Sequence, residues 1–150
     1  MKEDSITMAT LAMRRSGTRT FPLRMAICGL VAATALVHLF LAVTTSVMLA
    51  TQPALVASMG GATALTVMAA LFFCNFAGYV VLGTALYLPV LRRLRRVTRW
   101  ALIGYTAVTI LAYFVLAGAA HIDAFGLTDK ACEVLLIALL AIEGRLSRAA

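Results

Sequence analysis

The chain has 150 residues, of which 63% are hydrophobic, and 13 Lys and Arg against 6 Asp and Glu give a formal net charge of +7. A water-soluble domain is about half apolar and about a quarter charged, so this composition excludes a soluble protein and favours one membrane-embedded domain. The positive charges flank apolar runs, where they orient membrane helices and contact anionic lipids. We therefore predict no nucleic-acid binding.

The N-terminal part of the chain is a basic tail over residues 1–24, followed by a first span over residues 25–50. Phe21-Pro22 is typical of an extended or turn dipeptide, because a residue before proline avoids the helical conformation. The first span carries no charge. It exceeds the apolar core of a signal peptide and the roughly 20 residues that cross a bilayer.

Two further spans are separated by an arginine-rich stretch at residues 91–100. The second span is predicted over residues 62–90, after an uncharged loop that ends in Gly60-Gly61. The third span is predicted over residues 100–120 and begins at Trp100.

The fourth span is the shortest, over residues 128–143. Thr128 is a plausible helix cap, and Asp129 then lies in the first turn, where the helix dipole favours an anion. Such a helix would be about 24 Å long, which is shorter than a hydrocarbon core of about 30 Å. A thinner bilayer or cover from neighbouring helices would accommodate it. Residues 145–150 form a short tail.

Four spans place every Lys and Arg except Lys130 on one side of the membrane. Positive charge in short loops stays cytoplasmic. We therefore predict an all-α, up-down-up-down, four-helix membrane bundle over residues 25–144. Both termini are then cytoplasmic, in a multi-pass protein of the plasma (inner) membrane. Small residues at four-residue spacing, such as Cys74 and Gly78, are expected at helix contacts.

Three polar residues inside the predicted spans form a candidate intramembrane site. His38 and Asn75 lie near the middle of antiparallel neighbours, so a hydrogen bond between them is possible, and polar groups at that depth usually face the interior. Glu133 either faces this interior or forms an ion pair with Lys130, three residues earlier, at the membrane interface. We predict no catalytic, cofactor or metal site, and a bis-histidine haem would need a partner other than His121 in the outer loop.

The arginine-rich stretch has two interpretations. Either it acts only as a topology signal, or its side chains bind anionic lipid headgroups or an acidic cytosolic partner. The candidate contacts are Arg92, Arg93, Arg95, Arg96 and Arg99.

A family resemblance rests on two segments: residues 38–43 (His-Leu-Phe-Leu-Ala-Val) and residues 99–110 (Arg-Trp-Ala-Leu-Ile-Gly-Tyr-Thr-Ala-Val-Thr-Ile). At the level of pattern over residues 25–142, it resembles small four-span prokaryotic membrane proteins, including DoxX-like ones. The resemblance implies four spans and, for some members, association with quinone or thiol redox complexes. It carries over no functional residue.

Three functions remain open at this point. The leading hypothesis is an accessory subunit without catalytic activity, which packs against a larger membrane complex or against itself. The second is a carrier of a small protonatable molecule that uses His38, Asn75 and Glu133. The third is a DoxX-like component of a membrane redox complex.

Overall fold

The structure is a computed structural model that describes the backbone of residues 2–117 and 124–148, and the side chains of residues 21–116 and 124–148. Every element in these ranges is helical, which confirms the all-α prediction. The elements in chain order are α1 (Lys2–Thr51), α2 (Pro53–Ser58), α3 (Gly61–Tyr87), a 3₁₀ segment (Pro89–Leu94), α4 (Arg95–Ala117) and α5 (Ala124–Leu146).

Three stretches within the described residues are long and apolar enough to cross a membrane: Phe21–Thr51, Gly61–Tyr87 and Pro89–Leu116. Only 33%, 17% and 22% of their most apolar windows are buried inside the protein. Large apolar side chains such as Leu36, Val81 and Val115 instead point outward. Apolar surface of this extent needs a hydrocarbon solvent, so the helices indicate a membrane protein.

The N-terminal boundary of the first helix differs from the prediction. Pro22 lies inside α1, so the predicted turn at Phe21-Pro22 is wrong. Proline removes one intrahelical hydrogen bond, and the 50-residue helix continues on both sides of it.

Glycine and proline fix the two ends of α3. Gly60 and Gly61 have φ values of 102° and 87°, a region that glycine enters without steric cost. At the other end, Leu88 is extended, with φ −61° and ψ 127°, because it precedes Pro89. The helix therefore ends at Tyr87 and not at residue 90, and α4 begins at Arg95, ahead of the predicted residue 100.

Helices α1 and α4 each pack against both α3 and α5. The core between them contains Ile27, Val31, Tyr79, Leu102 and Leu136. Among the small residues, a Cβ at Gly78 would collide with the Tyr105 hydroxyl, so this glycine permits a close approach of α4.

Helix α5 is longer than predicted. Its 23 residues correspond to about 34 Å, enough to cross the hydrocarbon core. Thr128 is not a cap; it lies inside the helix, where its Oγ1 donates to the Ala124 carbonyl at 2.8 Å. The predicted start is late because Thr128, the predicted cap, lies four residues inside the helix. Four ionisable side chains of α5 are buried: Asp129, Lys130, Glu133 and Glu143.

Candidate functional site

Four ionisable side chains meet inside the protein, and we call them the charged cluster. His38 comes from α1, and Asp129, Lys130 and Glu133 come from the first turns of α5. Their exposed fractions are 3%, 7%, 6% and 0%. One ligand atom from each of His38, Asp129 and Glu133 lies within 4.8 Å of the other two.

Lys130 joins the two carboxylates of the charged cluster. Its Nζ lies 2.9 Å from Asp129 Oδ2 and 2.7 Å from Glu133 Oε2. The Lys130–Glu133 pair predicted for the interface is therefore present, but both side chains are buried. Asp129, expected only to face the helix dipole, is the third member of this ion-pair network.

The second oxygen of Glu133 is held by two other helices. Glu133 Oε1 accepts a hydrogen bond from the Tyr79 hydroxyl of α3 at 2.9 Å and from Thr109 Oγ1 of α4 at 3.3 Å. The same two hydroxyls lie 3.0 Å apart. Glu133 is thus fixed by contacts with α3 and α4 in addition to its own helix.

His38 is held in one orientation by its own helix. Its Nδ1 lies 2.9 Å from the Thr34 carbonyl oxygen. A carbonyl only accepts hydrogen bonds, so Nδ1 carries a proton, and a lone pair for a ligand can only come from Nε2. The rings of Tyr79 and Phe72 pack beside the imidazole, with centroid distances of 5.6 and 6.2 Å.

Asn75 lies outside the charged cluster. Its Oδ1 accepts a hydrogen bond from the Tyr105 hydroxyl at 3.1 Å, and the Asn75–His38 hydrogen bond considered from the sequence does not form. Both side chains have nearer partners: His38 bonds its own helix, and Asn75 bonds α4. Of the three residues predicted for the site, the structure brings His38 and Glu133 together and leaves Asn75 apart.

A cavity of about 80 Å³ adjoins the charged cluster between α1 and α5. Its lining includes Thr34, Asp129, Phe125 and Cys132. Thr34 Oγ1 and Asp129 Oδ1 are buried there without a hydrogen-bond partner. Unsatisfied polar atoms are rare in protein interiors, so two on one cavity mark a place where a ligand or water would be stabilised.

A second polar group lies near the other end of α5, and we call it the arginine–glutamate cluster: Arg24, Arg95, Arg99 and Glu143. Glu143 is 1% exposed. Its Oε1 accepts from Arg95 at 2.6 Å and from Arg24 at 3.3 Å, and its Oε2 accepts from Arg99 at 3.3 Å. Gly144 has no side chain and so leaves room for Arg99, whose Nη1 would lie 3.2 Å from a Cβ there.

The five arginines predicted to contact anionic lipid fall into two groups, because two of them belong to the arginine–glutamate cluster. Arg95 and Arg99 point inward to Glu143. The other three are exposed and available to headgroups: Arg92, Arg93 and Arg96.

Sequence reasoning missed Asp129 and Glu143 as interior groups, although the pattern held a signal for each. Asp129 and Glu133 are four residues apart and therefore share one helix face. Glu143 is the acidic residue next to the basic end of the predicted fourth span, where an arginine is a suitable counter-ion.

Comparison with known proteins gives no match: no family model, no curated protein and no solved structure matches this chain. The DoxX-like resemblance stays a prediction.

Proposed function

We propose that this chain is a four-span protein of the plasma (inner) membrane that carries a small cation or protonatable molecule through the charged cluster. The observation that carries the proposal is the burial of four ionisable side chains where α5 meets its neighbours. Ionisable groups are costly at membrane depth, and they commonly mark an ion or substrate pathway.

The charges of the cluster favour a cationic ligand. The cluster sets two carboxyl groups, those of Asp129 and Glu133, against the single amine of Lys130. Carboxylate oxygens attract a bound cation and repel an anion.

The length of α5 supports a fourth span, because about 34 Å exceeds the hydrocarbon thickness and four of its five charged side chains are buried. Four spans give the up-down-up-down order with both termini cytoplasmic, the arrangement that the basic residues favour. The arginine–glutamate cluster then lies at the cytoplasmic end.

The accessory-subunit hypothesis stays a prediction, but two of its supports are weaker. It depended on the lack of grouped reactive side chains in the sequence and on a short fourth helix that a partner would cover. The charged cluster is such a group, and α5, with 23 residues, is not short. Native mass spectrometry of the protein released from its own membrane would identify a larger complex or a homo-oligomer.

Flux into liposomes tests the carrier proposal. Purified protein is reconstituted, and uptake of methylammonium, Na⁺ and Mn²⁺ is measured separately against protein-free vesicles. We expect uptake of at least one probe, and loss of that uptake in Glu133→Gln and His38→Ala.

Asn75→Ala is the matched control, since Asn75 is an equally central polar residue outside the cluster, and it should retain flux. Unchanged flux in both cluster variants, or no flux of any probe with the folded parent protein, would contradict the proposal.

A further inference from the structure

The charged cluster contains a set of metal-ligand atoms. It offers one imidazole nitrogen and two carboxylates whose ligand atoms lie within 4.8 Å of one another. Nitrogen and oxygen donors bind ions such as Zn²⁺ at about 2.0–2.2 Å, so the ligand atoms of one tetrahedral ion lie about 3.3–3.6 Å apart. The three groups would draw together by up to about an ångström to bind one ion.

An independent observation points to a ligand at the same place. Asp129 Oδ1 has no hydrogen-bond partner although Asp129 is 93% buried, and neither does Thr34 Oγ1. Both residues line the cavity of about 80 Å³. The cavity meets the ligand set at Asp129, since His38 and Glu133 are not among its lining residues. Its volume exceeds the roughly 30 Å³ that a water molecule takes in the liquid, so it can hold a water ligand beside the ion.

Lys130 already supplies a cation to these carboxylates. Its ammonium bridges one oxygen of Asp129 and one of Glu133, so an incoming cation competes with it. The Tyr113 ring offers an alternative position for the ammonium, since Lys130 Nζ is 5.6 Å from the ring centre. The Tyr113 hydroxyl is buried without a partner and can accept a hydrogen bond from the displaced ammonium.

We propose that His38, Asp129 and Glu133 bind a divalent first-row transition-metal ion, and that Lys130 is the tethered cation which the metal displaces. The two carboxylates balance the +2 charge of the ion, and the ring and hydroxyl of Tyr113 stabilise the displaced Lys130 ammonium. The imidazole favours first-row metals over Ca²⁺ and Mg²⁺, which prefer oxygen ligands alone. The inference rests on the proposed function in that it names the ligand class of the same cluster.

Equilibrium binding of Mn²⁺ to the full-length protein in detergent, read from the loss of the free-ion electron paramagnetic resonance signal, tests the proposal. Mn²⁺ suits nitrogen and oxygen ligands better than thiolates, so the native cysteines interfere little. We expect one ion per chain, with Zn²⁺ competing for it. Lys130→Met should bind Mn²⁺ at least about tenfold more tightly, which is about 1.4 kcal/mol, because it removes the competitor.

Three further variants separate a metal site from a structural ion pair. Asp129→Asn and His38→Ala should each weaken Mn²⁺ binding at least about tenfold, and Asn75→Ala should leave it unchanged. Should Asp129→Asn fail to fold, His38→Ala still tests the ligand set. The proposal is overturned if folded Lys130→Met binds Mn²⁺ no more tightly than the parent protein, or if His38→Ala binds it equally well.

The metal-binding proposal and the carrier proposal can be contradicted independently of each other. Saturable Mn²⁺ binding without flux of any probe would contradict the carrier proposal alone. Methylammonium flux that depends on Glu133, in a protein that binds no metal, would contradict the metal site alone.

Discussion

Replacing Glu143 by glutamine removes the negative charge that three arginines share while keeping the size of the side chain. Arg99 is the most costly to leave unpaired, since its side chain is only 10% exposed, against 25% for Arg95 and 43% for Arg24. Breaking a buried ion pair costs about 3–5 kcal/mol, whereas an exposed pair contributes about 0–1 kcal/mol. We therefore expect Glu143→Gln to lower the free energy of unfolding by about 3 kcal/mol.

Equilibrium unfolding in mixed detergent micelles, followed by circular dichroism, measures this loss. For a chain of this size, about 3 kcal/mol corresponds to a fall in melting temperature of about 6–12 °C. The control is Arg96→Gln, which removes an exposed charge from α4, the helix that carries Arg95 and Arg99, and should change stability by no more than about 0.5 kcal/mol. The double variant Glu143→Gln with Arg99→Gln should recover part of the loss, because it removes the stranded charge. Equal stability of Glu143→Gln and Arg96→Gln would refute the reasoning.

Three other predictions follow from the packing and the two clusters. Gly78→Ala should force Tyr105 away and destabilise the protein. The control is Gly104→Ala, where a Cβ meets nothing within 4 Å, and it should be neutral or stabilising by up to about 1 kcal/mol. Equal melting temperatures of the two variants would contradict this expectation. Tyr79→Phe removes a hydrogen bond to Glu133 and should lower the free energy of unfolding by about 1 kcal/mol, measured by the same unfolding assay. An unchanged free energy of unfolding would contradict this expectation. Removing the exposed side chains of Arg92, Arg93 and Arg96 should weaken binding to anionic vesicles in a flotation assay without lowering stability. Unchanged binding would exclude these three arginines as lipid contacts.

The apolar helices could be predicted from sequence because long hydrophobic runs and their breaks are local signals. Gly60-Gly61 and Pro89 mark the ends of α3 to within a few residues. The true extent of α5 could not be read in this way. Its charged residues are buried against other helices and not in lipid, so they interrupt the apolar pattern without ending the helix.

The site was harder to predict than the spans, because depth along a helix does not identify a side chain's partner. His38 and Asn75 were paired on depth alone, yet His38 donates to the Thr34 carbonyl of its own helix. Asn75 instead accepts from Tyr105. The grouping of Asp129 with His38 depends on the rotation of α5 against α1, which a single sequence does not encode locally.

Cysteine accessibility from the two sides of the membrane tests most directly whether α5 crosses the bilayer and holds the charged cluster inside it. A membrane-impermeant maleimide is applied to intact cells that express either Gln52→Cys or Arg148→Cys. We expect Gln52→Cys to react from outside, and Arg148→Cys to react only after the membrane is permeabilised. Reaction of both from outside would mean three spans and would contradict an intramembrane charged cluster on α5. Both variants are made in a protein whose native free cysteines, Cys28, Cys74 and Cys132, are replaced by alanine.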